Sequence, residues 1–246
     1  MQKLLRFLAI LSVAGTMIGC ASTKVAIVSS ERSEPEVVVL LHGLARTNRS
    51  MNRMQKELGT AGYTVYSLQY PSTTKPVEQL AEEDLAPLLA RCEAVHRGKI
   101  HFVTHSLGGI VVRQYLTRHT LRNPGRLVML APPSQGSEAV DKLGHLTLFD
   151  WIYGPAGRQL GTTPDALPMQ LPAPPIEVGV IAGTRSANWI LSRMIPGPDD
   201  GKVSVERTKL PGMADFTTVN SSHPFIMRNR EVMDLTLAFL KNGSFE

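Results

Sequence analysis

The chain has 246 residues, 43% hydrophobic and 19% charged, with 26 lysines and arginines against 21 aspartates and glutamates. This composition excludes a disordered or low-complexity polypeptide, and a net charge of +5 scattered along the chain, not bunched, argues against a nucleic-acid surface. With two cysteines, Cys20 and Cys92, and no Cys/His cluster at metal-ligand spacing, neither a disulfide framework nor a metal site is expected.

In chain order, residues 1–19 come first and differ in kind from the rest. Lys3 and Arg6 precede an apolar stretch from Phe7 to Ile18, with small residues near its end. These are the n- and h-regions of a secretory signal, and the stretch is short for a membrane span. Met17-Ile18-Gly19-Cys20 resembles the lipobox of bacterial lipoprotein precursors, departing from it at Met17, where leucine is usual. The resemblance implies cleavage before Cys20, lipidation of that cysteine and attachment to a membrane. Ala21 follows the cysteine, and no aspartate retention signal is present; by the same resemblance this points to the outer membrane of a Gram-negative envelope, facing the periplasm. Cys92, then alone, reads as a small buried hydrophobe in a helix.

Residues 20–35 are polar, end at Pro35 and read as a tether; 36–246 read as one domain. The run EVVVLLHG (36–43) is continuously apolar and β-branched, as in a strand buried on both faces. A helix is expected over 50–61, a strand over 64–70, and a long helix over 77–96 with Pro87 as a candidate kink. Strands follow at 100–106, 126–133, 177–184 and 215–220, with helices over 108–118 and 224–240. Strands alternating with helices define an α/β fold with a mostly parallel sheet, covered on both faces, that binds ligands at its carboxyl edge. Residues 134–175 interrupt the rhythm: they hold many Pro and Gly and an apolar cluster that includes Leu146, Phe149, Trp151 and Tyr153. They read as an insertion after the fourth strand, placed to wall an acyl pocket.

Thr104-His105-Ser106-Leu107-Gly108 lies between a buried strand and a helix. That is the place of a nucleophile elbow, G-x-S-x-G, in which small neighbours let two backbones close on a strained turn. Thr104 stands where the pattern has glycine. A serine needs a base, and the base an orienting carboxylate. In that fold the chain order is Ser, acid, His, which leaves His223, in VNSSHPFIM between the last strand and the last helix. The acid is expected in GPDDGKVSV, where Asp199 and Asp200 share a turn. Asp200 is favoured because it matches the D-G-x-V pattern of bacterial lipases. The His42-Gly43 step ending the first strand resembles the oxyanion motif of lipases and esterases. Leu44 and Leu107 would then supply the backbone N–H groups, Gly43 would let the chain bend, and His42 would be structural.

On these motifs, residues 36–241 resemble the α/β-hydrolase superfamily, and within it the lipase- and esterase-like members. The resemblance implies a lipid-anchored serine hydrolase acting on a carboxylic ester, small or lipid-like, through an acyl-enzyme on Ser106, with no cofactor. Acyl transfer or thioester cleavage on the same site remains open at this stage, as does a catalytically inert surface lipoprotein. No feature of the sequence bears on oligomeric state.

Overall fold

The structure, a computed structural model, describes residues 23–144, 146–186, 192, 193 and 195–246. The signal segment 1–19 and Cys20 lie outside the described residues. Seven strands form one sheet: β1 Lys24–Val28, β2 Val37–Leu41, β3 Thr64–Gln69, β4 Ile100–His105, β5 Pro124–Leu130, β6 Val178–Gly183 and β7 Asp215–Val219. Their order is β1-β3-β2-β4-β5-β6-β7, parallel throughout except for β1, which runs antiparallel to β3. The expected α/β architecture is therefore present, with one strand more than the sequence reading found. The segment read as a tether contains β1, a half-exposed edge strand whose pattern carries no clear alternation.

Period-two alternation builds two cores. Val37, Val39 and Leu41 of β2, Phe102 of β4 and Met129 of β5 point to one face. Val38, Leu40, Val103 and Val128 point to the other. A strand buried on both faces must be apolar at every position, which is why VVVLL reads as an unbroken run. The first face is covered by a helix over 77–95 (α2, after α1 Asn52–Thr60) and by α3, Leu107–Leu116. The second is covered by α1 and the closing helix.

The expected kink at Pro87 takes another form. Residues Leu80–Leu85 wind as a π-helix, and Pro87 falls in the first turn of the α-helical part, Ala86–Val95. There its missing N–H falls where the wider π turn hands over to the α-helical ladder, so the helix continues past the proline. The insertion is helical: α4 Glu138–Leu143, α5 Thr147–Arg158 and a single turn at Leu167–Gln170. Gly154 (φ 63°) breaks α5 into two pieces, and its own Cβ would overlap the Thr73 carbonyl, so only glycine fits that contact. After the short α6, Val205–Thr208, the chain closes on α7, Arg230–Asn242. That helix starts later than expected because Asn229 caps it, its side chain accepting from the Glu231 N–H at 3.0 Å. Residues 221–229 are thereby left as a loop and a 3₁₀ turn.

From β2 the chain goes to β3 on one side, then crosses to β4 on the other. The switch point of the sheet lies between the carboxyl ends of β2 and β4, where His42-Gly43 and His105-Ser106 sit. Helix α3 lies hard against β2 at this point: a Cβ on Gly108 would fall 2.8 Å from both Leu41 Cβ and the Leu41 carbonyl oxygen. Gly108→Ala is expected to cost about 1–3 kcal/mol through overpacking against backbone. Thermal unfolding would show this as a Tm drop of about 2–4 °C for each kcal/mol.

Candidate active site

Ser106 joins β4 to α3 with φ 52° and ψ −120°. A non-glycine residue there is strained, and the neighbours hold it. Its N–H donates to the Leu130 carbonyl at 2.9 Å, and its own carbonyl accepts from Gly109 N–H at 3.0 Å. Thr104 is accommodated where the pattern has glycine. Its hydroxyl donates to the Val128 carbonyl at 3.4 Å, and a Cβ on Gly109 would come within 3.2 Å of that hydroxyl. The bulk one residue adds is left free by the other.

The structure brings Ser106, His223 and Asp200 together. Ser106 Oγ lies 3.0 Å from His223 Nε2, and His223 Nδ1 lies 2.7 Å from Asp200 Oδ2. All three are buried. The carboxylate only accepts, so Nδ1 carries the ring proton and Nε2 is free to accept from the serine hydroxyl. Asp200 Oδ1 accepts from the amides of Lys202 at 3.0 Å and Val203 at 2.9 Å, and the Asp200 carbonyl accepts from His223 N–H at 2.9 Å. Asp199 instead spends Oδ1 on the Gly201 amide and the Ser192 hydroxyl, both at 2.7 Å. Of the two aspartates in the turn, Asp200 reaches the imidazole and Asp199 ties the loop. Gly183, at the end of β6, makes room for this: a Cβ there would meet Asp200 Cβ at 2.9 Å and the Ser221 carbonyl at 2.4 Å.

On the opposite side Gly43 turns the chain out of β2. A Cβ on Gly43 would stand 2.6 Å from His105 Nδ1 and 3.2 Å from Ser106 Cβ. Arg46 N–H closes the turn onto the Gly43 carbonyl at 3.2 Å, and Ala45 N–H donates to Ser72 Oγ at 3.1 Å. Leu107 is the first residue of α3, so its amide has no partner within the helix.

Two buried histidines flank the site. His42 stacks on Tyr70 with ring centres 4.1 Å apart. Its Nδ1–H donates to the Gly43 carbonyl at 2.9 Å, and its Nε2 accepts the Tyr70 amide at 3.4 Å. The tautomer follows, since a carbonyl cannot donate and an amide N–H cannot accept. The bond also fixes the 43–44 peptide, whose C=O and N–H point in opposite directions. His42 therefore aims the Leu44 amide. His105, which precedes the serine in the chain, also has a place here. Its Nε2–H donates to the His223 carbonyl at 3.0 Å, and the two rings lie 4.9 Å apart. Burial first, and then the neighbouring His223 and Arg46, hold its pKa well below the ordinary range, so it stays neutral.

Of the expected pocket residues, Phe149 and Tyr153 pack against each other, ring centres 4.7 Å apart and planes tilted by 50°. A Cβ on Gly157, one turn on, would lie 3.3 Å from Leu44 and 3.5 Å from the Phe149 ring, and Lys202 stands over the Tyr153 ring at 5.2 Å. This face of α5 spans the loops of Gly43 and Asp200. Leu146 and Trp151 do not join it and remain on the surface. A cavity of about 460 Å³ lined by residues such as Glu78, Asp141 and Arg158 touches none of Ser106, Asp200 and His223. Among the described residues no group of three or more His, Cys, Asp or Glu could hold a metal.

A serine on a strand-to-helix turn at the switch point, bonded to a histidine and an aspartate from later loops, defines a hydrolase site. The chain belongs to the alpha/beta hydrolase family, whose profile matches residues 38–232. No curated protein matches it in sequence. Solved structures share its fold at low identity. The mature lipase BlEst2 of Bacillus licheniformis is 19% identical, with a TM-score of 0.72 over 88% of this chain and 98% of that one. Phospholipase PlaB of Legionella pneumophila, in complex with thio-NAD, is 20% identical with a TM-score of 0.58, over 71% of this chain and 44% of that one. A thermophilic esterase from Thermogutta terrifontis is 13% identical with a TM-score of 0.60, over 92% and 95%.

Burial lowers the His42 pKa from 6.5 to about 4. The folded state keeps the ring neutral while the unfolded chain protonates it near 6.5. The stabilisation is therefore complete above that pH and is lost as pH falls toward 4. A shift of this size is worth about 3 kcal/mol at roughly 1.4 kcal/mol per unit. Denaturant midpoints measured from pH 7 to pH 4 are expected to fall accordingly. His42→Gln, which can donate and accept but does not titrate, is expected to remove the His42 share of that fall and leave the shares of the buried His101 and His105.

Proposed function

We propose that this chain is a serine hydrolase that cleaves a carboxylic ester through an acyl-enzyme. One observation carries the reading: the unbroken chain from Ser106 Oγ to His223 at 3.0 Å and from His223 to Asp200 at 2.7 Å. His223 Nε2 takes the hydroxyl proton as Ser106 Oγ attacks the acyl carbonyl. The Asp200 carboxylate holds the imidazole in the tautomer that can accept and stabilises the cation that forms. Leu44 and Leu107 present backbone N–H groups to the oxyanion from two sides, the second reinforced by the start of α3. His223 then protonates the leaving alkoxide; in the second half-reaction it takes a proton from water, whose oxygen attacks the acyl carbon, and gives that proton to Ser106 Oγ as the acyl–oxygen bond breaks. No step calls for a metal or organic cofactor.

The acyl chain rests on Phe149 and Tyr153, beside Gly157, which faces Leu44 of the Gly43–Arg46 turn. Support for an ester, and not an amide, comes from the lipase, phospholipase and esterase names of proteins that share the fold. The lipobox-like Met17–Cys20 supports a lipid anchor at Cys20 and residence at a membrane of the cell envelope.

A fluorophosphonate probe is expected to label the purified protein at Ser106, read by peptide mapping, and Ser106→Ala to abolish both labelling and ester hydrolysis. Asp200→Asn should lower kcat by about 10⁴-fold, as in the reference triad where the base loses its tautomer. Asp199→Asn should cost far less, because Asp199 bonds only its own loop. The reverse ranking would show the wrong carboxylate was chosen. Tyr153→Ala should weaken kcat/KM for long-chain esters more than for short ones, since each buried methylene contributes about 1 kcal/mol.

A further inference from the structure

We infer that the catalytic edge of the sheet faces the membrane, with the outer face of α5 and a basic rim around Ser106 seated on an anionic phospholipid surface. The inference rests on the lipid-anchor reading of Cys20 and adds an orientation to it.

The first observation is where the chain emerges. β1 is the one antiparallel strand, and its first residue, Lys24, pairs with Gln69, the last residue of β3. β3 runs parallel to β2 and so to β4, whose last residue precedes Ser106. The start of β1 is therefore at the same edge of the sheet as the nucleophile. A parallel β1 would have begun at the opposite edge. Thr23 is fastened there, its hydroxyl donating to the Asp84 carboxylate, which also binds Lys75 Nζ at 2.8 Å. Two residues from Lys75, the Thr73 carbonyl abuts Gly154 of α5. From Thr23 only three residue steps lead back to Cys20, a reach of at most about 11 Å. A lipid on Cys20 holds this edge, and no other, close to the bilayer.

The second observation is the outer face of α5. Phe149 and Tyr153, at i and i+4, turn inward to the site. Leu148 and Trp151, at i and i+3, turn outward and are 38% and 72% exposed. Leu146, at the helix start, is 45% exposed, and Phe225, two residues after His223, is 54% exposed. Single exposed apolar residues need no explanation, but several gathered at one edge do. Tryptophan at such a boundary suits a headgroup region, with one end apolar and the other wet.

The third is charge. Arg46, Lys202 and Arg228 all follow strand ends or loops at this edge, and none forms an ion pair among the described residues. Asp150, the acid of α5, is already matched by Arg158 at 3.2 Å. An apolar face rimmed by cations that lack a carboxylate partner among the described residues is complementary to an anionic leaflet. In this pose an ester whose acyl chain lies in the leaflet reaches Ser106 from the membrane side.

The test reads Trp151 by fluorescence. The full-length protein, expressed in a Gram-negative host with labelled fatty acid and carrying Trp189→Phe to silence the other tryptophan, is reconstituted in phosphatidylethanolamine–phosphatidylglycerol vesicles with brominated acyl chains. The wild type minus Trp151→Phe gives the same signal should the first variant fold poorly. If the orientation is right, label is found on Cys20, the protein floats with the vesicles, and Trp151 loses more than half its emission relative to unbrominated vesicles. Label and flotation with unquenched Trp151 would overturn the orientation and leave the anchor standing. Absence of label on Cys20, with protein free of the vesicles, would overturn the anchor and the orientation with it.

Discussion

The site depends on how closely two backbones meet. Helix α3 touches the end of β2 at Gly108, where a side chain would strike Leu41 and the His42 carbonyl. The turn after β2 touches the end of β4 at Gly43, where a side chain would strike His105 and Ser106. Because neither residue has a Cβ, the Leu44 and Leu107 peptides stand on the two sides of Ser106. The strained φ of the serine belongs to the same constraint. A relaxed turn would swing α3 away from β2, and the helix start would no longer stand beside Ser106.

Neutral histidines fix this arrangement. His42 sets the peptide between Gly43 and Leu44, and His105 holds the carbonyl of His223. Both are fully enclosed, so the charged form of either would lose hydration without gaining a counter-ion, and burial keeps them uncharged. Four histidines and tyrosines therefore share the work around one serine: His223 contacts it, His105 braces His223, His42 aims an amide, and Tyr70 stacks on His42. Of these rings, His223 is the one hydrogen-bonded to a carboxylate.

The parts of the molecule that the sequence concealed were hidden for different physical reasons. The central strands had to be apolar at each position and were legible from that alone. β1, at the sheet edge, is buried on neither face, so KVAIV carries no period and was read as part of a tether. The helices of the insertion were hidden by Gly154 and Pro155, which in isolation signal breakage. In the folded chain that glycine is the residue that lets α5 press against Thr73. The long helix kept its length through Pro87 because the turn before it widened to a π-helix.

By itself the sequence determined the alternating α/β order and pointed to Ser106, His223 and the glycines beside them, which the fold brings together. Each of these is a local requirement: an apolar run, a sharp turn, a close approach. It also narrowed the acid to two adjacent aspartates and favoured Asp200 by its motif. The tertiary structure shows what each carboxylate touches, because a one-residue step along a turn reverses which way a carboxylate points. Asp200 faces His223, and Asp199 faces its own loop. The same holds for α5, where Phe149 and Tyr153 face the site and Trp151 faces out. Composition can mark such a cluster as apolar, but the assignment of its two faces depends on which loops, distant in sequence, the fold sets against it.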